Sequence, residues 1–243
     1  MPPQRSDSLR TQAVLISTAE RLFAERGVEG VSLSEINRAA GQRNKSALHY
    51  HFGNREGLLL ALLKKHRDDI DLERHKLIEG VTDLGSWPLH RLVDAMVRPL
   101  YNKLEDPDGG IHYVRIMAQL SSNPNHPASS WLFTNLPPAM MVIAPHMYSR
   151  VPDMPEVFRL RRAHLMNVTM FHALLSESYS DLAEAPPGSD WRELQINDLI
   201  DALCGLMTAP HSDRTEQLLD LPDIAEVAAD DRAVRVSVSR SLA

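Results

Sequence analysis

The sequence predicts an all-α chain, and three observations carry that expectation. Apolar residues recur at spacings of three and four in successive stretches along the chain. Proline and glycine punctuate those stretches rather than filling them, in clusters such as Asp106-Pro107-Asp108-Gly109-Gly110 and Ala185-Pro186-Pro187-Gly188. Near the N-terminus, residues 32–52 hold the start and stop signals of two short consecutive helices.

The first helix is expected over residues 9–26, with Leu15, Ile16, Ala19, Leu22 and Phe23 as its core stripe and Gly27 after its end. Residues 1–8 are polar and proline-bearing, a loose tail in which Arg5, with Arg10 just beyond, gives a basic arm. Ser32 caps the next helix and Glu35 completes a capping box, with Leu33, Ile36 and Ala40 on one apolar face. Gly41 suits the positive-φ position that ends it. Asn44 is expected to cap a further helix over residues 45–51 that buries Leu48 and Phe52. That helix leaves Lys45, Ser46, His49, Tyr50 and His51 outside, so the pair has the form of a helix-turn-helix whose second member enters a major groove. The competing reading is a small helical hairpin with solvated polar residues.

A fourth helix is expected over residues 55–79, capped by Asn54, apolar from Leu58 to Leu63 and then dominated by charge. Arg67 and Asp71 are spaced to pair on its surface, and His66 and His75 are taken as solvated because no ligand set of convincing spacing surrounds them. Helices follow over residues 87–104, with Pro99 kinking or shortening the first, then 111–120, 131–148 (interrupted by Pro137-Pro138 and Pro145), 156–182 and 190–207. Residues 121–130 are expected as a loop. The helix at 156–182 is apolar on nearly every side, as if buried against both its own core and a partner. With the 190–207 helix it makes the expected four-helix dimer contact, Leu203 standing in that contact or in the core beneath it.

Charge sharpens the reading. The net charge is −6, yet residues 1–67 carry +5 and the remainder −11. A basic head on an acidic body turns one end toward phosphate. One cysteine, Cys204, rules out an internal disulfide framework. No stretch approaches the length of a membrane-spanning helix and the N-terminus lacks a signal-peptide core, so a soluble cytoplasmic protein is expected. There is no phosphate-binding glycine loop, clustered Cys/His set or nucleophile elbow, so neither an enzyme nor a metal or other cofactor is expected.

The run LFAERG, the capping box, Ala39-Ala40-Gly41 and HYHFGNREGLL resemble, in that order, the TetR family of bacterial transcriptional regulators over about residues 10–70. The resemblance implies an N-terminal three-helix helix-turn-helix domain (residues 9–55), a larger helical effector-binding and dimerisation domain (56–209), and a weakly structured tail (210–243). It implies a ligand-responsive regulator, most readily a repressor, acting as a homodimer on a double-stranded DNA operator. The alternative is a helical sensor or scaffold without operator binding, with an all-α hydrolase a remote third. Two departures stand out: the turn Gly41-Gln42-Arg43-Asn44 is one residue longer than the family's, and Asn37 replaces a small apolar residue.

Arg43 and Lys45 are expected at phosphates or guanine edges, Ser46, His49 and Tyr50 at bases, and His51 and Arg55 at phosphates, with Gln42 and Asn44 beside them. The methionine and aromatic density between residues 131 and 171 fits either gap-filling core or an adaptable pocket. The family's habit favours the pocket. Met140, Met147, Met166, Met170 and Phe171 are then its apolar lining, and His112, Arg115, His146 and His172 its polar points, for an acyl, aromatic or polycyclic effector.

Overall fold

In a computed structural model of the chain, residues 3–42, 44, 46–123, 125–151, 154–177 and 190–221 are described, and among them there is no β-strand. Arg43 and Lys45, two of the residues expected at DNA, lie outside the described residues, as do 178–189 and 222–243.

Helix α1 spans Pro3–Arg26. It starts six residues earlier than expected, because proline is pre-organised for the first helical position and the polar residues after it contain no breaker. Leu15, Ala19 and Phe23 are fully buried, as the stripe requires. Gly27, at φ 85°, accepts the end of the helix by donating to the Phe23 carbonyl at 2.9 Å. Helix α2 (Leu33–Ala39) has the full capping box, and α3 (Ala47–Phe52) follows. Helix α4 (Arg55–Ile78) begins at Asn54, whose side chain accepts from the Gly57 amide at 2.8 Å.

After a single 3-10 turn at Leu84–Ser86 come α5 (Leu89–Lys103), α6 (Gly110–Ser121), α7 (Pro127–Thr134) and α8 (Pro138–Tyr148). Helix α5 runs through Pro99 rather than ending there. The stretch expected as a loop and one interrupted helix is instead two helices. Pro127 and Pro138 each stand in a first turn, where proline starts a helix, and the His126 ring caps α7 by accepting from the Ala128 amide at 3.1 Å. Helices α9 (Glu156–Glu177), α10 (Trp191–Thr208) and α11 (Asp213–Leu219) complete the described chain. The last places a capped turn of helix inside the segment expected to be weakly structured, with Ser212 accepting from the Thr215 amide.

One continuous core joins α1 to α10. Helix α9 packs on α6 and α10, and α10 packs on α5. Helix α9 is two-faced rather than apolar all round: Met166, Met170, Phe171 and Leu174 point inward, while Leu165 is 44% exposed. On α10, Leu203 is fully buried and Leu194 is 58% exposed, so Leu203 belongs to the core and not to a dimer surface.

Two expectations about α4 are corrected. His66 is not solvated: it is 1% exposed, and its ring donates to the carboxylate of Glu20 on α1, which is equally buried. His75 does reach solvent. Asp71 does not pair with Arg67 on the surface. It is buried and accepts from the Ala139 amide at 3.1 Å, where a carboxylate complements the start of α8. Arg67 lies over the Trp131 ring instead, 5.2 Å from its centroid.

Candidate nucleic-acid interface

The base of the site is the packing of α2 and α3 on α1 and α4. Ile36 is fully buried, and Ala47 and Leu48 turn the inner face of α3 into the same core. The α2 cap is electrostatically firm. Hydrogen bonds from Ser32, first from its backbone and then from its hydroxyl, hold the Glu35 carboxyl down to about 2, with Arg26 at 3.1 Å assisting.

The turn is built by the residue that departs from the family pattern. Asn37 is 5% exposed, and its side-chain amide donates to the Asn44 carbonyl at 2.9 Å. Its own carbonyl accepts from the Gln42 amide at 3.1 Å. The asparagine thus bridges the start and end of the longer turn, a contact a small apolar side chain cannot make. Asn44 does not cap α3 as expected. Its side chain accepts from the Ser46 amide at 2.9 Å and its carbonyl from Ala47, a tight local turn that delays α3 to Ala47. Ser46 stands at the cap position without a side-chain bond.

Asn37→Ala removes the bridge and leaves the Asn44 carbonyl with the Ala47 amide as its remaining donor. It is expected to cost about 1 kcal/mol of stability. Hydrogen exchange should show the loss locally, as faster exchange at the amides of Gln42 and Ala47. Unchanged protection at both would mean that the bridge does not hold the turn.

Outward from this base, α3 presents His49 and Tyr50, the latter 81% exposed, with Asn44 and Ser46 exposed just before it and Gln42 half-buried. His51 is half-buried beneath Tyr50, their ring centroids 5.0 Å apart, and accepts from Gln12 of α1 at 3.3 Å. Arg55 is half-buried and donates to the Val28 carbonyl, which makes it a tie between α4 and the loop after α1.

This reading head is clamped to the rest of the chain at three points that the sequence reading missed. Gln119 of α6 accepts from the Val28 amide at 3.2 Å and donates to the Phe23 carbonyl at 3.2 Å. Glu20 takes the His66 ring on one oxygen and the Lys65 ammonium on the other, at 3.1 Å. Lys65 continues to Asp108 at 2.9 Å, in the loop that starts α6.

The residues expected around an effector fall into two groups. His112 and Arg115 on α6 are half-buried and lie on the helix against which Met166, Met170 and Phe171 of α9 pack, those three being 2–5% exposed. His172 is exposed and is held by the Val168 carbonyl and the Ser122 hydroxyl, the latter at 3.4 Å. Met140 and Met147, by contrast, are buried on α8, which packs on α4, α5 and the 3-10 turn, and the His146 ring faces Gly85 in that turn. A cleft of about 390 Å³ opens elsewhere, between α4 and α5 around Asp69, Glu73 and Lys103, and none of the expected effector residues lines it.

Comparison with known proteins places the chain. Residues 15–62 match the model of the bacterial regulatory proteins of the tetR family, and residues 94–205 match that of the tetracyclin repressor-like C-terminal domain. Over 94 residues the chain is 29% identical to the HTH-type transcriptional repressor AcnR of Corynebacterium glutamicum, covering 39% of this chain and 40% of the relative. Over 136 residues it is 28% identical to the probable acrEF/envCD operon repressor of Escherichia coli, covering 49% and 60%. The chain thus matches 40–60% of the length of these curated relatives. In fold it is similar to NalD of Pseudomonas aeruginosa, a secondary repressor of the MexAB-OprM multidrug efflux pump. That likeness has a TM-score of 0.51 at 21% identity, over 84% of this chain and all of the other. The two family models between them take in both the reading head and the helices that carry it, and the chain belongs to the TetR family of bacterial regulatory proteins.

Proposed function

We propose that the chain is a homodimeric DNA-binding transcriptional repressor that a small effector with a substantial apolar body releases from its operator. The observation that carries this reading is the polarity of α3. Its inner face is fixed in the core by Ala47 and Leu48, while an aromatic side chain, Tyr50, stands 81% exposed between His49 and His51. A large aromatic held that far into solvent on a rigid short helix suits contact with bases. The similarity to two curated repressors supports the same reading. The longer turn, which motivated the alternative of a sensor without operator binding, is spanned by Asn37 and so does not favour that alternative.

In this reading residues 9–55 read DNA, 56–209 bind the effector and the partner subunit, and 210–243 form a tail that carries α11. Arg43 and Lys45 supply phosphate or guanine contacts. Two copies present two α3 helices to half-sites about 34 Å apart. A DNA partner also puts the protein in the cytoplasm. No helix among the described residues is long and apolar enough to cross a membrane.

The test is binding of the purified chain to duplexes selected from a random pool. Tyr50→Ala should weaken the selected duplex by about tenfold or more while changing random duplex little. Lys45→Ala should weaken both and lower the salt slope by about one. Equal affinity of the unaltered chain for selected and random duplexes would remove the operator reading.

A further inference from the structure

The turn between α2 and α3 pins one exposed side chain. Asn44 stands just ahead of Ala47, the first residue of α3, and is open to solvent. Its backbone carbonyl accepts from the Asn37 side-chain amide at 2.9 Å and from the Ala47 amide at 3.1 Å. Its side chain accepts from the Ser46 amide at 2.9 Å. A backbone N–H can only donate, so the atom that faces Ser46 is the side-chain oxygen Oδ1. The amino group Nδ2, on the other arm of the same planar amide, is splayed away from that bond and has no partner among the described residues. Asn44 thus offers donors outward while its oxygen is in use.

Residues at the N-terminal end of a recognition helix are the ones that meet base edges in a major groove. Ser46, His49 and Tyr50 are exposed beyond Asn44, which puts it at the leading edge of the surface turned toward DNA. Gln42, the other amide of the turn, is half-buried and donates back to the Ala40 carbonyl at 3.3 Å, so its amino group is directed into the turn.

We propose that Asn44 is a specificity-determining residue whose Nδ2 amino group reads a guanine in each operator half-site. An unconstrained asparagine reads adenine, donating to N7 and accepting from the N6 amino group with the two atoms of one amide edge. Asn44 does not present that edge, because Oδ1 is turned to Ser46. Guanine asks for donors alone, since its N7 and O6 are both acceptors and lie side by side in the major groove. Cytosine offers a donor there, which is mismatched, and thymine offers one acceptor beside a methyl group. Asn37 contributes by holding the Asn44 backbone, so the amide is placed before DNA arrives and loses little freedom on contact. The assignment rests on the reading of α3 as the helix that enters the operator, and it names the base that its leading turn selects.

The test is selection of duplexes from a random pool by the full chain, repeated with Asn44→Asp and Asn44→Ser. Aspartate closes the same turn with a carboxylate oxygen, but its second oxygen accepts where Nδ2 donates. Serine closes the turn more weakly, adds no charge and is too short to reach the base. The unaltered chain should enrich one guanine per half-site whose replacement costs about fivefold or more in affinity. Asn44→Ser should lose that preference alone. Asn44→Asp should exchange it for cytosine, whose N4 amino group donates, and keep the preferences at other positions. Ratios between duplexes that differ at this one base cancel the general weakening from an added negative charge. An adenine at the position, a guanine preference that survives both substitutions, or an equal loss on all duplexes with preferences intact, as a phosphate contact would give, overturns the assignment and leaves the operator reading standing. A chain that enriches no sequence removes both.

Discussion

Leu203→Glu is expected to unfold the helical body that α10 belongs to, or to cost it about 5 kcal/mol. Leu203 is fully buried on α10, in a helix that packs on both α5 and α9. A glutamate there must either bury its charge in apolar surroundings or bind a proton to lose it, and it also replaces shape-matched contacts. Sequence periodicity puts Leu203 on a helix with more apolar surface than one core needs, and so either at a subunit contact or in the core beneath it; the packing selects the core. The residue that tests the contact is Leu194, on the same helix but 58% exposed. Leu194→Glu should change stability by no more than about 0.5 kcal/mol, yet shift sedimentation at micromolar concentration toward the monomer. Urea unfolding separates the two variants. A Leu203→Glu protein that melts like the parent would mean that α10 is misplaced, and a Leu194→Glu protein that stays dimeric would move the interface off that face.

The elements of the reading head were legible because local signals there agree with the tertiary result. A capping box, a positive-φ glycine and an asparagine cap each act over three or four residues, and Ser32, Gly41 and Asn54 stand at the ends they announce. The start of α3 was missed because Asn44 has two local uses, helix cap and tight turn, and the choice depends on Asn37 seven residues away. Such a bond has no signature in spacing.

The interior of the body was less legible, for a different reason. On α4 the inward positions follow the ordinary helical interval, Leu59, Leu62, His66, Ile70 and Arg74, and the interval alone marks His66 and Arg74 as buried. Their charge argued for solvent, and the pattern was the better guide. The partners that make their burial tolerable, Glu20, Tyr113 and the Met96 carbonyl, come from three other helices, and no local rule supplies them. The methionines on α8 and α9 were counted together because they are close in sequence, but their helices pack on different partners.

Glu20→Ala is the second substitution of large expected effect, and it acts where the head meets the body. Glu20 is 1% exposed on α1, with the equally buried His66 of α4 on one oxygen and Lys65 at 3.1 Å on the other. Removing one partner of a buried pair of this kind costs about 3–5 kcal/mol, because the group left behind keeps its desolvation and loses its compensation. Lys65 softens the loss, since it retains Asp108 at 2.9 Å and a quarter of its side chain reaches solvent; His66 has no such outlet, and its other ring nitrogen is already without a partner among the described residues. An effect near 3 kcal/mol by urea unfolding is therefore expected, and Glu20→Gln, which keeps an acceptor in place, should cost less. The position also bears on how an effector would act. The His66 ring lies 5.0 Å from that of Tyr113 on α6, the helix on which α9 packs, so the buried contact that fixes α1 adjoins the packing of α6 and α9. To release DNA an effector must prefer the arrangement in which the two α3 helices no longer match the half-sites, since affinity alone shifts nothing. Severing the contact should weaken that preference, so Glu20→Gln, the milder variant, should need more ligand than the parent to release half of its bound duplex. A destabilisation below about 1 kcal/mol in Glu20→Ala, together with an unchanged release curve in Glu20→Gln, would mean that the junction is held by Gln119, the Lys65–Asp108 pair and apolar packing.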